Sequence, residues 1–154
     1  GHSQLRILRA MEMELPRVLE EVCRHPRALG LDGSFGQATA FVQGLDAGRD
    51  GGLLVGFREW LVVQLGDGAS LGWTALVAYM ALPQRFEDRT LNALSDGEGE
   101  LVVQTMCDLL REFLAERDAA DGLLRIYDRY IKWMRTQEWY GPASPSYLDT
   151  DEGS

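Results

Sequence analysis

Between Gly51 and Pro83 the chain reads GGLLVGFREWLVVQLGDGASLGWTALVAYMALP, its most apolar stretch, and any fold it adopts must enclose that segment. Leu54, Phe57, Leu61 and Leu65 recur at helical spacing, and Leu53, Trp60 and Val63 widen the face. Only Arg58, Glu59 and Gln64 are strongly polar, so the pattern predicts a nearly enclosed helix over 53–65. A second helix is expected over 71–82, with Ser70 as its N-cap and Pro83 as its stop. Neither run approaches the roughly 20 apolar residues needed to cross a bilayer, and Gly66-Asp67-Gly68 divides them. The expectation is a buried helical hairpin at the centre of the fold.

Two catalytic-looking patterns fall inside this stretch. Gly68-Ala69-Ser70-Leu71-Gly72 matches G-x-S-x-G, which in α/β hydrolases places a serine on a tight strand-to-helix turn. Trp60–Val63 is β-prone enough to serve as the preceding strand. The triad order then requires a later histidine, and the only histidines, His2 and His25, both precede Ser70. The same glycines form a loose relative of the dinucleotide-binding turn, but the chain up to Glu87 and Asp88 leaves no room for the second parallel strand. They read better as a turn between closely packed helices.

At 154 residues the chain suits one domain with one core, and 45% hydrophobic residues are too many for a disordered protein. Gly1-His2-Ser3 reads as the remnant of a cleaved tag, residues 4–140 as the domain, and 141–154 as a mobile acidic tail. A net charge of −9 argues against a general phosphate-backbone binder, so no nucleic-acid partner is expected. All but Lys132 of the fifteen basic residues are arginine, which points to a GC-rich genome. Cys23 and Cys107 lie on apolar helical faces and read as separate core thiols, consistent with a reducing cytoplasm. With no C-x-x-C and one usable histidine, no metal site is assigned. Asp46–Gly51 lacks the ligands of a calcium loop at its third and twelfth positions, Gly48 and Phe57, and reads as a linker.

Leu5, Leu8 and Met11 start an N-terminal helix, which Pro16 either kinks or follows with a second helix that has Val18, Leu19, Val22 and Cys23 inward and ends at His25-Pro26. Further helices are expected after the capping pair Ser34/Gln37 and within 84–94. The strongest pattern runs from about Glu98 to Arg117 behind the capping box Ser95/Glu98, with Val102, Met106, Leu109, Leu110 and Phe113 inward. A last helix is predicted over about 119–138, capped by Asp118, with Leu123, Leu124, Tyr127, Tyr130, Ile131 and Met134 inward. Trp133, Trp139, Tyr140 and Tyr147 gather at its end and are read first as burying that terminus and second as an exposed aromatic contact patch.

Charge is segregated between these last two helices. Asp96, Glu98, Glu100, Asp108, Glu112, Glu116, Asp118 and Asp121 face only Arg111 and Arg117, while Arg125, Arg129 and Lys132 share one later stripe. The stripe reads first as a solvated or internally paired face and second as a dock for an acidic partner.

The sequence thus specifies an all-α, single-domain bundle of six or seven helices around a buried hairpin. It assigns no catalytic residue and no cofactor, and a non-catalytic role is favoured. The functional expectation is a small acidic cytoplasmic binding protein of bacterial immunity, antitoxin or regulatory type. Its partner would be a protein with a basic face, and the contact residues Glu100, Asp108, Glu112, Glu116, Arg125, Arg129 and Lys132. The alternative is a small-molecule-binding protein or enzyme with Trp60, Trp73, Tyr79 and Met80 around an interhelical pocket.

Overall fold

A computed structural model describes residues 17–88 and 94–141. Seven helices appear among them: α1 (17–24), α2 (Phe35–Ala47), α3 (Phe57–Leu65), α4 (Trp73–Ala81), α5 (Pro83–Asp88), α6 (Asp96–Arg117) and α7 (Gly122–Arg135). A 3-10 turn, Pro26–Leu29, follows α1, which stops at the residue before His25-Pro26 as proline requires. No strand occurs among the described residues, so Trp60–Val63 lies in a helix and G-x-S-x-G lacks its strand. The expected helix from Leu5 to Met11, the tag remnant and the acidic tail beyond Gly141 lie outside the described residues.

The apolar stretch does become the centre. α3 packs on α4 and α7, α4 packs on α6, and α2 covers another part of α6. Phe57, Leu61, Val62, Leu76 and Val77 of the hairpin are fully buried, with Met106, Leu110 and Phe113 of α6 and Ile126 of α7. Burying each such side chain contributes about 1.5–3 kcal/mol, so this contact dominates the stability of the fold.

Three boundaries differ from the sequence expectation. α3 starts at Phe57 rather than Leu53, because Gly56 adopts a left-handed φ of 88° and the chain before it turns. A Cβ there would lie 2.7 Å from Leu123 Cδ1, so α7 settles directly on the glycine. Ser70 does not cap α4; the helix begins at Trp73 behind Gly72, without a side-chain cap, and Ser70 is an exposed turn residue. Asp118 does not cap α7 but ends α6, and α7 starts at Gly122 behind Asp121, itself left-handed with φ 57°. The α6–α7 turn is so tight that a Cβ on Gly122 would run into the carbonyl oxygens of Glu116 and Arg117.

The capping pairs also divide. Ser95 and Glu98 form the full reciprocal box. Ser34 accepts from the Gln37 N–H, whereas the Gln37 side chain accepts from Asp32 N–H instead of closing the box.

Cys23 and Cys107, expected as separate thiols, form a disulfide with Cα atoms 6.2 Å apart. Their separation of 84 residues gave no hint of the contact; the crossing of α1 over the middle of α6 creates it. The cystine removes the thiol-based reason for expecting a reducing compartment. Among the described residues, no helix is long and apolar enough to cross a membrane.

Candidate functional site

α6 is the longest helix, 22 residues or about 33 Å. Its inner face holds Val102, Met106, Leu110 and Phe113, which leaves its opposite side in solvent. Glu100, Asp108 and Glu112 are exposed there, with Leu101 at 49% exposure and Gln104 between them. Glu100 and Glu112 have no ion pair among the described residues and stand about 18 Å apart along the helix. Asp108 accepts from Arg111 Nη1 at 2.9 Å and from Gln104 Nε2 at 3.2 Å. Arg111 also grips Glu20 of α1 through Nε and through Nη2 at 2.8 Å. That bond holds the Glu20 carboxyl below its ordinary range and the guanidinium above its own. The only arginine on this side of α6 is therefore already neutralised.

Glu116 belongs elsewhere. It accepts from Trp60 Nε1 at 2.8 Å and pairs with Arg129 of α7. It ties α3, α6 and α7 together rather than presenting charge to a partner. On α7, Lys132 pairs with Asp128 at 2.8 Å. Arg125 is the one member of the predicted basic stripe without an ion pair among the described residues. The structure thus separates the seven expected contact residues: Glu100, Asp108 and Glu112 share an open face, Glu116 and Arg129 pair across α6 and α7, Lys132 pairs with Asp128 on the surface of α7, and Arg125 is exposed without an ion pair among the described residues.

A groove of about 840 Å³ lies where the N-terminal ends of α2 and α6 approach each other. Asp32, Asp96 and Glu100 line it with Gln104, and Arg27 is its basic member. The Ser34 side chain and backbone N–H hold the Asp32 carboxyl below its ordinary range. Glu98 is held down to about 2, first by Arg85, whose Nη2 donates to it at 2.9 Å, and then by the Ser95 backbone. Glu98, at this end of α6, therefore remains ionised well into the acid range.

Of the four residues expected around a small-molecule pocket, Trp60 and Tyr79 are buried, and Trp73 and Met80 are partly buried against the core. Trp60 is buried, and its neighbour Phe57 meets Phe113 at 5.0 Å and Trp73 at 5.7 Å between ring centroids. Tyr79 is buried and meets Phe86 edge-on at 4.9 Å. Neither the groove above nor a smaller one beside the disulfide is lined by Trp60, Trp73, Tyr79 or Met80. Among the described residues, no group of histidine, cysteine and carboxylate side chains could hold a metal ion, and no buried side-chain polar atom lacks a partner.

The terminal aromatics are less buried than expected. Trp133 stacks beside Tyr130 and meets Trp139 edge-on at 6.3 Å, yet Trp139 remains 51% exposed. Trp139 follows the end of α7, whose inner positions are already filled by Ile126 and Met134. Tyr147 lies outside the described residues.

Two arginines escaped the sequence reading. Arg58 Nε donates to the Leu71 carbonyl at 2.8 Å, Nη2 to that of Ala69, and Nη1 reaches the Tyr130 hydroxyl at 3.4 Å. Arg117, with 13% of its side chain exposed, donates to the Gly52 carbonyl at 2.9 Å and to that of Leu53, and lies over the Phe113 ring. Each pins a loop whose carbonyls have no helical partner. The only signal was an arginine inside, or at the end of, an apolar helical face.

No protein family, curated protein or solved structure matches the chain. Any functional reading therefore rests on the α6 surface itself.

Proposed function

We propose that this is a non-catalytic binding protein that docks the basic face of a macromolecular partner on the exposed side of α6. One contrast carries the reading. Glu100 and Glu112 are exposed and without ion pairs among the described residues, while two of the three basic-stripe residues of α7, though exposed, are each paired with a carboxylate of this chain. The acidic groove beside Glu100 would extend the contact, and Leu101 supplies an apolar spot within it. Together with the net charge of −9, this supports electrostatic steering of a basic partner such as a nuclease. Assignment to the immunity, antitoxin or regulatory type rests on size, charge and the lack of a complete motif, which is association by kind.

The test is partner capture on the immobilised protein, followed by association kinetics across ionic strength. The double change Glu100→Lys with Glu112→Lys should slow association at low salt by about tenfold and flatten its salt dependence, with an unchanged helical spectrum. The same pair on α7, Arg125→Glu with Lys132→Glu, should not slow it. Binding that ignores both salt and the α6 reversals would sink the proposal.

A further inference from the structure

A second groove lies between α6 and α1, next to the acidic groove, whose wall Cys23 also joins. The cystine Cys23–Cys107 lines a groove of about 180 Å³ with Leu19, Met106, Leu110 and Leu114, and Glu20 and Arg111 are also part of its wall. The bridge is not closed on all sides but borders this groove. We infer that Cys23–Cys107 is a thiol–disulfide exchange site that takes a low-molecular-weight thiol and thereby controls the docking of α1 on α6.

The two sulfurs are not equivalent. Cys107 is 3% exposed in the middle of α6, whereas Cys23 is half-buried on the shorter α1. A thiolate entering the groove attacks the more accessible sulfur, Sγ of Cys23. A mixed disulfide forms there, the Cys23–Cys107 bond breaks, and its electron pair leaves on Cys107 as thiolate, which takes a proton from solvent. Arg111 lines the same groove one helical turn beyond Cys107, but its guanidinium is engaged by Glu20 and Asp108, so the departing thiolate takes its proton without a dedicated cation. A second thiolate then attacks the mixed disulfide. It releases Cys23 as a thiol and leaves the two small thiols oxidised to their disulfide, so two electrons have passed to the cystine.

The fold already accommodates the reduced state. Cys23 Sγ lies 3.0 Å from the Leu19 carbonyl one turn earlier, a ready acceptor for an S–H once the bridge is open. Among the described residues of α1, what then remains to hold it is the burial of Leu19 and Val22 and the surface pair Glu20–Arg111. A peripheral helical segment depends on such tertiary contacts to persist. The α3–α4 hairpin has its own core with α6 and α7 and does not depend on the bridge. Reduction should therefore loosen α1 locally. In a reducing compartment the pair rests as two thiols, and in an oxidising one as cystine.

The oxidised full-length chain is placed in glutathione buffers of increasing reduced-to-oxidised ratio, without denaturant. Thiols are counted by maleimide labelling, adducts mapped by mass, and amide exchange followed by segment. We expect both thiols to appear together, a transient glutathione adduct on Cys23, and exchange over 17–24 rising about tenfold or more while 57–81 changes less than about twofold. Cys107→Ser should show the fast exchange over 17–24 at every ratio. If that variant does not fold, the reduction series on the unaltered chain still decides. The inference is overturned if two thiols are present before any reductant, if the bond opens only in denaturant, or if the adduct forms on Cys107. It also fails if reduction unfolds the whole protein or leaves 17–24 unchanged.

Discussion

The hairpin α3–α4 and the short helix α1 both lay apolar side chains on α6, but they are held there by opposite means. The hairpin is over-determined: the cluster of Phe57, Trp60, Trp73 and Phe113, the arginine clamps at 58 and 117, and the Glu116 bond to Trp60 all converge on it. Among its described residues, α1 has two buried apolar side chains, one surface ion pair to α6 and one covalent bond. Linking positions 84 residues apart restricts the unfolded chain, an effect of about 4–5 kcal/mol in the chain-entropy account. The difference separates many weak contacts, none decisive, from one strong contact that a change of solvent can remove.

The sharpest way to break the hairpin side is Phe113→Ala. It removes a fully buried ring in contact with Phe57 and Trp60, and should cost about 4 kcal/mol in urea unfolding. Exchange protection should fall throughout the molecule, not only over 17–24. A loss below about 1 kcal/mol would show that the cluster does not carry the core.

Next in size is a pair of glycine substitutions along the same scaffold. Gly122→Ala forces a Cβ onto the carbonyls of Glu116 and Arg117, which cannot move without opening the α6–α7 turn, and should cost about 2–3 kcal/mol. Gly99→Ala, on the first turns of α6 with nothing within 4 Å of its Cβ, should instead raise stability by about 0.5–1 kcal/mol. Thermal or urea midpoints moving the same way for both would contradict the tight turn.

The smallest expected effect is in pH. Glu98 has a folded pKa near 2 against an ordinary value of 4.5, so its contribution is fully present above about 4.5 and is lost as the pH falls toward 2. Glu20, lowered by Arg111, has the same sign on the α1 side. Urea unfolding of the protein and its Glu98→Gln variant should differ more at pH 7 than at pH 3. An equal difference at both would mean that the Arg85–Glu98 pair does not form.

The outward half of the candidate site was readable before any coordinates. Glu100, Asp108 and Glu112 are polar positions on a strongly patterned helix, and their exposure follows from the apolar face opposite. Glu116 belonged to the same run of acids, yet its side chain turns to Trp60 and Arg129, which lie on other helices and far away in sequence. Ser70 failed as a cap for a similar reason. Arg58 holds the Ala69 and Leu71 carbonyls and sets the loop, and α4 then starts at Trp73.

By itself the sequence determined what periodicity and local chemistry can fix: an all-helical chain, a central apolar hairpin, the start of α6 at its Ser95/Glu98 box, and the break before Pro26. Those features depend on residues within a turn or two of each other. Tertiary structure alone decided which distant residues meet. The Cys23–Cys107 bond, the arginine clamps on the 52–53 and 69–71 carbonyls, the Glu116–Arg129 pair and the tight seat of Gly122 all depend on how helices cross. A crossing is set by packing whole faces against one another, and no local run of sequence records that.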